Sequence, residues 1–307
     1  GKAITVPPQC PDWIDYEAAG VADAAAMTPR ILEVLGMVDL ERDIYELGLR
    51  GTIDPAKRPD LTDSILKTRV AFQQRLAADP VLSPLVERFD IERFNENATV
   101  GENLLFGRPV GNVFNLDHLA AHPYVLEVLD RAELTDDMLD AGRHVASTMV
   151  ELFADLPPGH EFFERYAFIS HEDLPAFQAL LARIGREGVG ALKPEERTIL
   201  LSLPFQVSPA RHRLDVVTET FKERLLIARK IFADNIPSEI EGAVEQFDEQ
   251  RYTAAASLQD NILFGKLAYG HARGAERIGA VIAEVVDQLE LRKEVMAVGL
   301  DYHVGIG

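Results

Sequence analysis

Hydrophobic residues recur at helical spacing along most of this chain. The clearest stripe lies within residues 275–291, where apolar side chains recur at positions i, i+3, i+4 and i+7. This spacing places them on one face of an α-helix and predicts that the face is buried. The residues of the stripe are Ile278, Val281, Ile282, Val285, Val286 and Leu289.

Prolines that follow capping residues mark further predicted helix starts. Thr28-Pro29 and Ser208-Pro209 each combine an N-cap residue with a proline at the first helical position. The second pair is predicted to open a long helix that ends near Phe232, and Pro123 is predicted to start another that ends near residue 134.

Strand-like alternation of polar and apolar residues is sparse. Short extended pieces are predicted at residues 4–6 and 50–53. The predicted fold class is therefore mainly α, with few or no strands.

One segment of the sequence occurs twice, about half the chain apart. In one ungapped register, V-E-R-F-D at 86–90 matches V-E-Q-F-D at 244–248, and A-T-V-G-E-N-L-L-F-G at 98–107 matches A-S-L-Q-D-N-I-L-F-G at 256–265. The match continues upstream and downstream, pairing Leu66 with Leu226, Arg69 with Arg229, Phe72 with Phe232 and Gly142 with Gly299. The sequence thus contains a first copy and a second copy of one unit.

The repeat predicts a helical domain built around a duplicated helical unit. We assign residues 1–157 to a first helical lobe, which contains the more divergent copy, and residues 158–307 to a second helical lobe. Enlargement of a core by duplication is sufficient to explain such a repeat.

The composition narrows the classes of partner. The chain has 307 residues, 47% of them hydrophobic, which is enough for a substantial core. Its net charge of -19 argues against nucleic-acid binding and against docking on anionic membranes, because both require basic side chains. Cys10 is the only cysteine, so an intrachain disulfide is impossible and a reducing compartment fits.

The second copy resembles a segment of the ATPase subunits of ABC exporters. In that family, a stretch reading roughly T-I-R-E-N-I-L-F-G follows the Q-loop; helical residues and a G-L-D-x-x-V-G-x-x-G element, the x-loop, then precede the LSGGQ signature. Here A-S-L-Q-D-N-I-L-F-G at 256–265 is followed by the predicted helix at 275–291 and by V-G-L-D-Y-H-V-G-I-G at 298–307. The first copy matches the early part of this pattern and diverges after Gly142.

The resemblance implies where this chain lies within a larger protein and which partners it has. It implies that this chain is an enlarged insertion of an ABC transporter ATP-binding subunit, ending just before the signature motif. The implied partners are the transporter membrane domain and the remainder of the ATP-binding domain, with a homodimer in the parent. The implied location is the cytoplasmic side of the cell membrane, and ATP and Mg²⁺ are implied for the parent protein.

The resemblance also names candidate coupling residues. In the family, the segment after the Q-loop and the x-loop lie against the coupling helices of the membrane domain. The matching residues here are Gln259, Asn261, Phe264, Gly265, Asp301, His303, Val304 and Gly305. Without a partner, Asn261, Phe264 and Gly265 are equally typical of a helix cap, a core side chain and a turn.

The sequence lacks the motifs that ATP chemistry requires. It has no G-x-x-x-x-G-K-[ST] loop to hold phosphates, no LSGGQ signature, and no apolar run leading into Asp-Glu. We therefore expect this segment to be non-catalytic and to bind no cofactor by itself.

Two other interpretations compete with a transporter role. One is a stand-alone helical module for protein interaction or scaffolding. The other is a metal-dependent hydrolase at His118 and His122, which have the spacing of zinc ligands one helical turn apart. The first histidine lacks the adjacent glutamate of a zinc peptidase, and Pro123 follows the second, so we expect no metal site.

Overall fold

A computed structural model describes residues 15–37, 40–153, 155–157, 160 and 168–301. Helices dominate it and its strands are short, so the predicted mainly α class is confirmed. The extended piece predicted at residues 4–6 lies outside the described residues. At 50–53, Arg50 ends a helix and Gly51 has an extended backbone, but residues 51–53 form no strand.

The elements fall into two series along the chain. The first contains α1 (Ala24–Met37), α2 (Glu41–Arg50), α3 (Pro59–Ala77), β1 (Val86–Arg88), α4 (Val100–Leu105), β2 (Gly107–Pro109), α5 (Pro123–Arg131) and α6 (Thr135–Phe153). The second contains α7 (Leu174–Glu187), α8 (Pro194–Phe205), α9 (Pro209–His212), α10 (Glu219–Asp234), β3 (Val244–Gln246), α11 (Leu258–Leu263), β4 (Gly265–Leu267), α12 (Gly274–Gln288) and α13 (Arg292–Leu300). Short 3-10 helices lie at Ser83–Leu85, Leu116–Ala121, Val189–Ala191 and Ser238–Ile240.

The sequence repeat is also a structural repeat. The order α3, β1, α4, β2, α5, α6 in the first copy recurs as α10, β3, α11, β4, α12, α13 in the second. The unit extends further upstream than the sequence match, to α2 and α8. The ends of these two helices make equivalent bonds, because Gly51 O accepts from Leu258 N and Val207 O accepts from Val100 N, both at 2.9 Å.

The two copies exchange their first helices. One hydrophobic core, the first core, joins α4, α5 and α6 of the first copy to α8 and α10 of the second. The other, the second core, joins α2 and α3 of the first copy to α11, α12 and α13 of the second. Each core therefore draws on both halves of the chain and does not follow the predicted division at residue 157.

Two small antiparallel sheets tie the copies together at the centre. Strand β1 pairs with β4, and β2 pairs with β3, so each sheet contains one strand from each copy. Arg88 lies opposite Gly265, and Gly107 lies opposite Gln246. This reciprocity is the pattern of a twofold dimer interface, here within one chain.

The helix predictions at residues 275–291 and at Pro123 are confirmed. Helix α12 begins one residue early and ends at Gln288, because Glu290 adopts a left-handed conformation with φ 59. Helix α5 begins at Pro123 but stops at Arg131, and α6 begins at Thr135 after a similar left-handed residue.

The helix start predicted at Thr28-Pro29 is wrong, whereas a helix does start at Ser208-Pro209 but is much shorter than predicted. Helix α1 begins at Ala24, where the Asp23 carboxylate accepts a hydrogen bond from Ala26 N, so Pro29 lies inside the helix. Pro209 opens only the single turn α9, which ends at left-handed Arg213. The long helix α10 starts later, where the Thr218 hydroxyl accepts a hydrogen bond from Phe221 N.

Candidate functional site

Asn261 of the predicted coupling set is a buried anchor for an arginine of the other copy. Only 1% of Asn261 is exposed. Its side-chain oxygen accepts a 3.0 Å bond from Arg69 Nη2, and its main-chain oxygen accepts a 2.7 Å bond from Arg69 Nε. The Asn261 amide also donates to the carbonyls of Thr253 and Ser257, which fixes the loop before α11.

Arg69 also binds three carbonyl oxygens of the loop after β3. Its Nη1 atom donates to the carbonyl oxygens of Asp248, Glu249 and Arg251 at 2.7–3.1 Å. The guanidinium thus makes five hydrogen bonds, three of which share the two N–H groups of Nη1. Burial lowers the pKa of Arg69 to about 10, because desolvation disfavours the charged form.

The same arrangement occurs at the equivalent position. Arg229 in α10 donates to the main-chain oxygen and side-chain oxygen of Asn103 at 2.8 and 2.9 Å, and to three carbonyls of residues 90–93. Burial also lowers its pKa to about 10. The sequence contained this signal, since Arg69 aligns with Arg229 and Asn103 with Asn261, but it did not show that each arginine crosses to the other copy.

Phe264 belongs to an aromatic cluster between the two copies. The cluster consists of Phe89, Phe106, Phe247 and Phe264. Phe89 and Phe247 stack with ring centroids 4.2 Å apart, and Phe106 and Phe264 each meet both of them edge to face. Phe264 is 4% exposed and terminates α11 in a left-handed conformation, with Arg69 stacked on its ring. The equivalent Phe106 terminates α4 and carries Arg229.

Gly265 is buried in β4, where the strands approach too closely for a side chain. A Cβ atom there would lie 2.5 Å from the carbonyl oxygen of Glu87. Gly107 in β2 has the same relation to Glu245, again at 2.5 Å. Both glycines therefore have a structural reason for their identity.

The remaining coupling candidates lie nearer the surface or outside the described residues. Gln259 is half-buried on α11, and Asp301 is exposed immediately after α13. His303, Val304 and Gly305 lie outside the described residues. The structure thus uses Asn261, Phe264 and Gly265 inside the fold, and a coupling role for the eight residues stays a prediction.

Two ion pairs cross between the copies beside the strands. Lys266 Nζ lies 2.6 Å from Glu102 Oε1, and Arg108 Nη2 lies 2.5 Å from Asp260 Oδ2. Burial acts to raise the pKa of Glu102, but Lys266 and the Thr99 N–H outweigh it and hold that pKa below its ordinary value. These equivalent pairs add charge complementarity to the swapped interface.

An open central cleft lies at the junction of the copies. It has a volume of about 1560 Å³ and is lined by β1, β3 and the loops that follow them. The stacked, half-buried rings of Phe89 and Phe247 line it together with exposed charged residues. The sequence showed the alignment of these two phenylalanines, and the strand pairing brings them together.

His118 and His122 have different surroundings in the structure. His118 is exposed on a 3-10 helix, whereas His122 is the N-cap of α5 and its Nδ1 accepts a 3.2 Å bond from Tyr124 N. Burial lowers the pKa of His122, which favours this neutral, hydrogen-bond-accepting form. Within the described ranges, His, Cys, Asp and Glu side chains nowhere form a group of three or more suited to a metal ion.

Every helix among the described residues is too short or too polar to cross a lipid bilayer. Comparisons of the chain with protein-family models, curated proteins and solved structures return no match.

Proposed function

We propose that this chain is a non-catalytic helical segment of an ABC transporter ATPase subunit, where it contributes to coupling ATP binding and hydrolysis to a membrane domain. The observation that carries the proposal is the order of motifs in the second copy. The stretch at 256–265, a long helix and a G-L-D element follow one another as they do in the exporter family.

The geometry of the second copy supports this proposal. The 256–265 stretch contains α11, the long helix is α12, and the G-L-D element begins at the end of α13; these three helices pack in one hydrophobic core. Helix α11 is capped by the Ser257 hydroxyl and closed by Phe264, so the family-like stretch is a defined helical turn. If this chain is part of a larger ATPase, its resemblance to an ATPase and its lack of a phosphate-binding loop are both explained.

The native gene and an ATP-binding measurement test the proposal together. We expect the gene to encode a phosphate-binding loop before this segment, and a signature and a Walker B carboxylate after it. We expect isothermal titration with Mg-ATP to show no binding by this chain and saturable binding by the parent protein. A gene without these motifs, or saturable Mg-ATP binding by this chain alone, would overturn the proposal.

A helical protein-interaction module is the second candidate. The burial of Asn261, Phe264 and Gly265 favours it, because the family-like residues serve the fold here rather than an exposed contact surface. Under this function the gene would lack the ATPase motifs, and a purified chain would recover a protein partner without any dependence on nucleotide.

A further inference from the structure

The central cleft has the size of a peptide site rather than of a small-molecule pocket. Its volume of about 1560 Å³ exceeds the roughly 300–1,000 Å³ typical of pockets for compact ligands. It is open to solvent, and it lies where the two copies meet. A chain segment could therefore enter it without unfolding either core.

Apolar surface is exposed within the cleft. The stacked pair Phe89 and Phe247 is half-buried, Ile91 is 60% exposed, and Val110 is 45% exposed. Single exposed apolar residues are common on proteins, but their grouping around half-buried aromatic rings is typical of an interaction surface. The floor of the cleft thus offers contacts to aliphatic side chains.

The charged residues that line the cleft have a net negative balance. Among its described lining residues, six are acidic and three are arginines. Glu87 and Glu245 accept bonds from nearby backbone N–H groups, and Arg88 is paired with Glu249. Asp90 and Asp248 are exposed carboxylates that accept a bond from the backbone N–H two residues later.

Two buried cations lie behind the aromatic floor and reduce this negative charge. The guanidiniums of Arg69 and Arg229 stack on Phe264 and Phe106. Each is surrounded by five oxygen acceptors and is almost wholly buried, so a ligand in the cleft meets the lining charges at the surface, where carboxylates outnumber arginines, rather than these two cations. The surface presented to a ligand therefore combines apolar rings with an acidic rim.

We propose that the central cleft binds a basic, amphipathic peptide segment. Its aliphatic side chains would pack on Phe89, Phe247 and Ile91, and its lysines or arginines would face Asp90 and Asp248. We assign this segment to a cytoplasmic loop of the membrane domain, because such loops carry an excess of Lys and Arg. This assignment rests on the proposed transporter function.

The test uses the intact chain and a fluorescent synthetic peptide of lysine and leucine. The cleft variant combines Ile91→Ser, Asp90→Asn and Asp248→Asn. The two asparagines keep a side-chain oxygen that can accept the local backbone hydrogen bonds. The matched control combines Leu152→Ser, Glu151→Gln and Asp140→Asn on the exposed face of α6, and it removes the same charge and one exposed apolar side chain. Circular dichroism checks that both variants retain the fold.

Fluorescence anisotropy should show binding that weakens as salt is added, because exposed charges are screened. We expect the cleft variant to bind about tenfold more weakly and the control to bind as the unaltered chain does. Equal weakening by both variants, or equal binding of a peptide with glutamate in place of lysine, would overturn the proposal.

A second experiment places a photo-crosslinking residue at position 91 in one protein and at position 152 in another. Because it keeps Asp90 and Asp248 unchanged, its result does not depend on the stability of the charge variants. The peptide should crosslink from position 91 only, and equal crosslinking from both positions would overturn the proposal. In membranes containing the parent protein, position 91 should crosslink to the membrane domain. A parent gene without ATPase motifs would remove the proposed transporter function, whereas the peptide experiments would still decide the chemistry of the cleft.

Discussion

Arg69 and Arg229 show how single side chains hold the swapped copies together. Each is buried in one core helix and reaches a loop and an asparagine of the other copy. A planar guanidinium with five fixed donors suits a ring of carbonyl acceptors, and an ammonium does not reproduce that geometry. These positions should therefore distinguish arginine from lysine although both carry the same charge.

We expect Arg69→Lys and Arg229→Lys each to lower the free energy of unfolding by about 3 kcal/mol, since buried carbonyl oxygens lose their partners. The control is Arg224→Lys, whose side chain is 38% exposed in its pair with Asp137. That change should cost less than about 1 kcal/mol. Urea denaturation measures all three, and equal losses for Arg69→Lys and Arg224→Lys would contradict the assigned role.

At the residue scale, the sequence identified which positions matter better than it identified their roles. The repeat alone aligns the arginines, the asparagines and the stacked phenylalanines. It could not show that the partners lie across copies, because an alignment of two copies carries no information about which copy a side chain contacts. For the same reason Asn261 and Phe264, expected on a contact surface, lie in the interior.

At the scale of elements, two equivalent helix crossings depend on glycine. Gly299 in α13 packs against α2, where a Cβ atom would lie 2.1 Å from Ile44 O. Gly142 in α6 packs against α8, where a Cβ atom would lie 2.0 Å from Leu200 O. The helices cannot approach this closely with any side chain at these positions.

We expect Gly142→Ala and Gly299→Ala each to destabilise the protein by about 1–3 kcal/mol, because the crossing helices must separate. Gly279→Ala in α12 is the matched control, since no neighbouring atom lies within 4 Å of the added Cβ. It should stabilise the protein by about 0.5–1 kcal/mol through the lower entropy of the unfolded chain. Thermal unfolding measures the three variants, and a destabilising Gly279→Ala with neutral crossings would refute the argument.

Element boundaries were predictable where local chemistry decides them. The stripe at 275–291 and Pro123 gave correct helices, since periodic burial and a capped proline act within one turn. Thr28-Pro29 starts no helix because Asp23 caps an earlier start, and Ser208-Pro209 starts only a single turn because the long helix begins at the Thr218 cap. The strands β1 to β4 have three residues each and exist through pairing between distant segments, which no local pattern encodes.

At the scale of the whole molecule, the chain is an interlocked pair of copies. Cutting it between α7 and α8 would divide both cores, because α2 and α3 lie on one side of the cut and their partners α11 to α13 lie on the other. The first core is divided in the same way, since α8 and α10 are separated from α4 to α6. Neither piece contains a complete core, so the two should hold each other in place without a covalent link.

A protease recognition sequence inserted after exposed Gly190 tests this interlocking, since a Cβ atom there would meet no neighbour within 4 Å. We expect the cleaved protein to elute as the intact chain does in size-exclusion chromatography and to give two pieces only in denaturant. It should unfold in one transition whose midpoint rises with protein concentration, because folding has become an association. Two pieces that separate under native conditions, or that unfold in two concentration-independent steps, would show that each half folds by itself. The second result would show two independently folding lobes, as the sequence predicted, with a boundary near Gly190 rather than at residue 157.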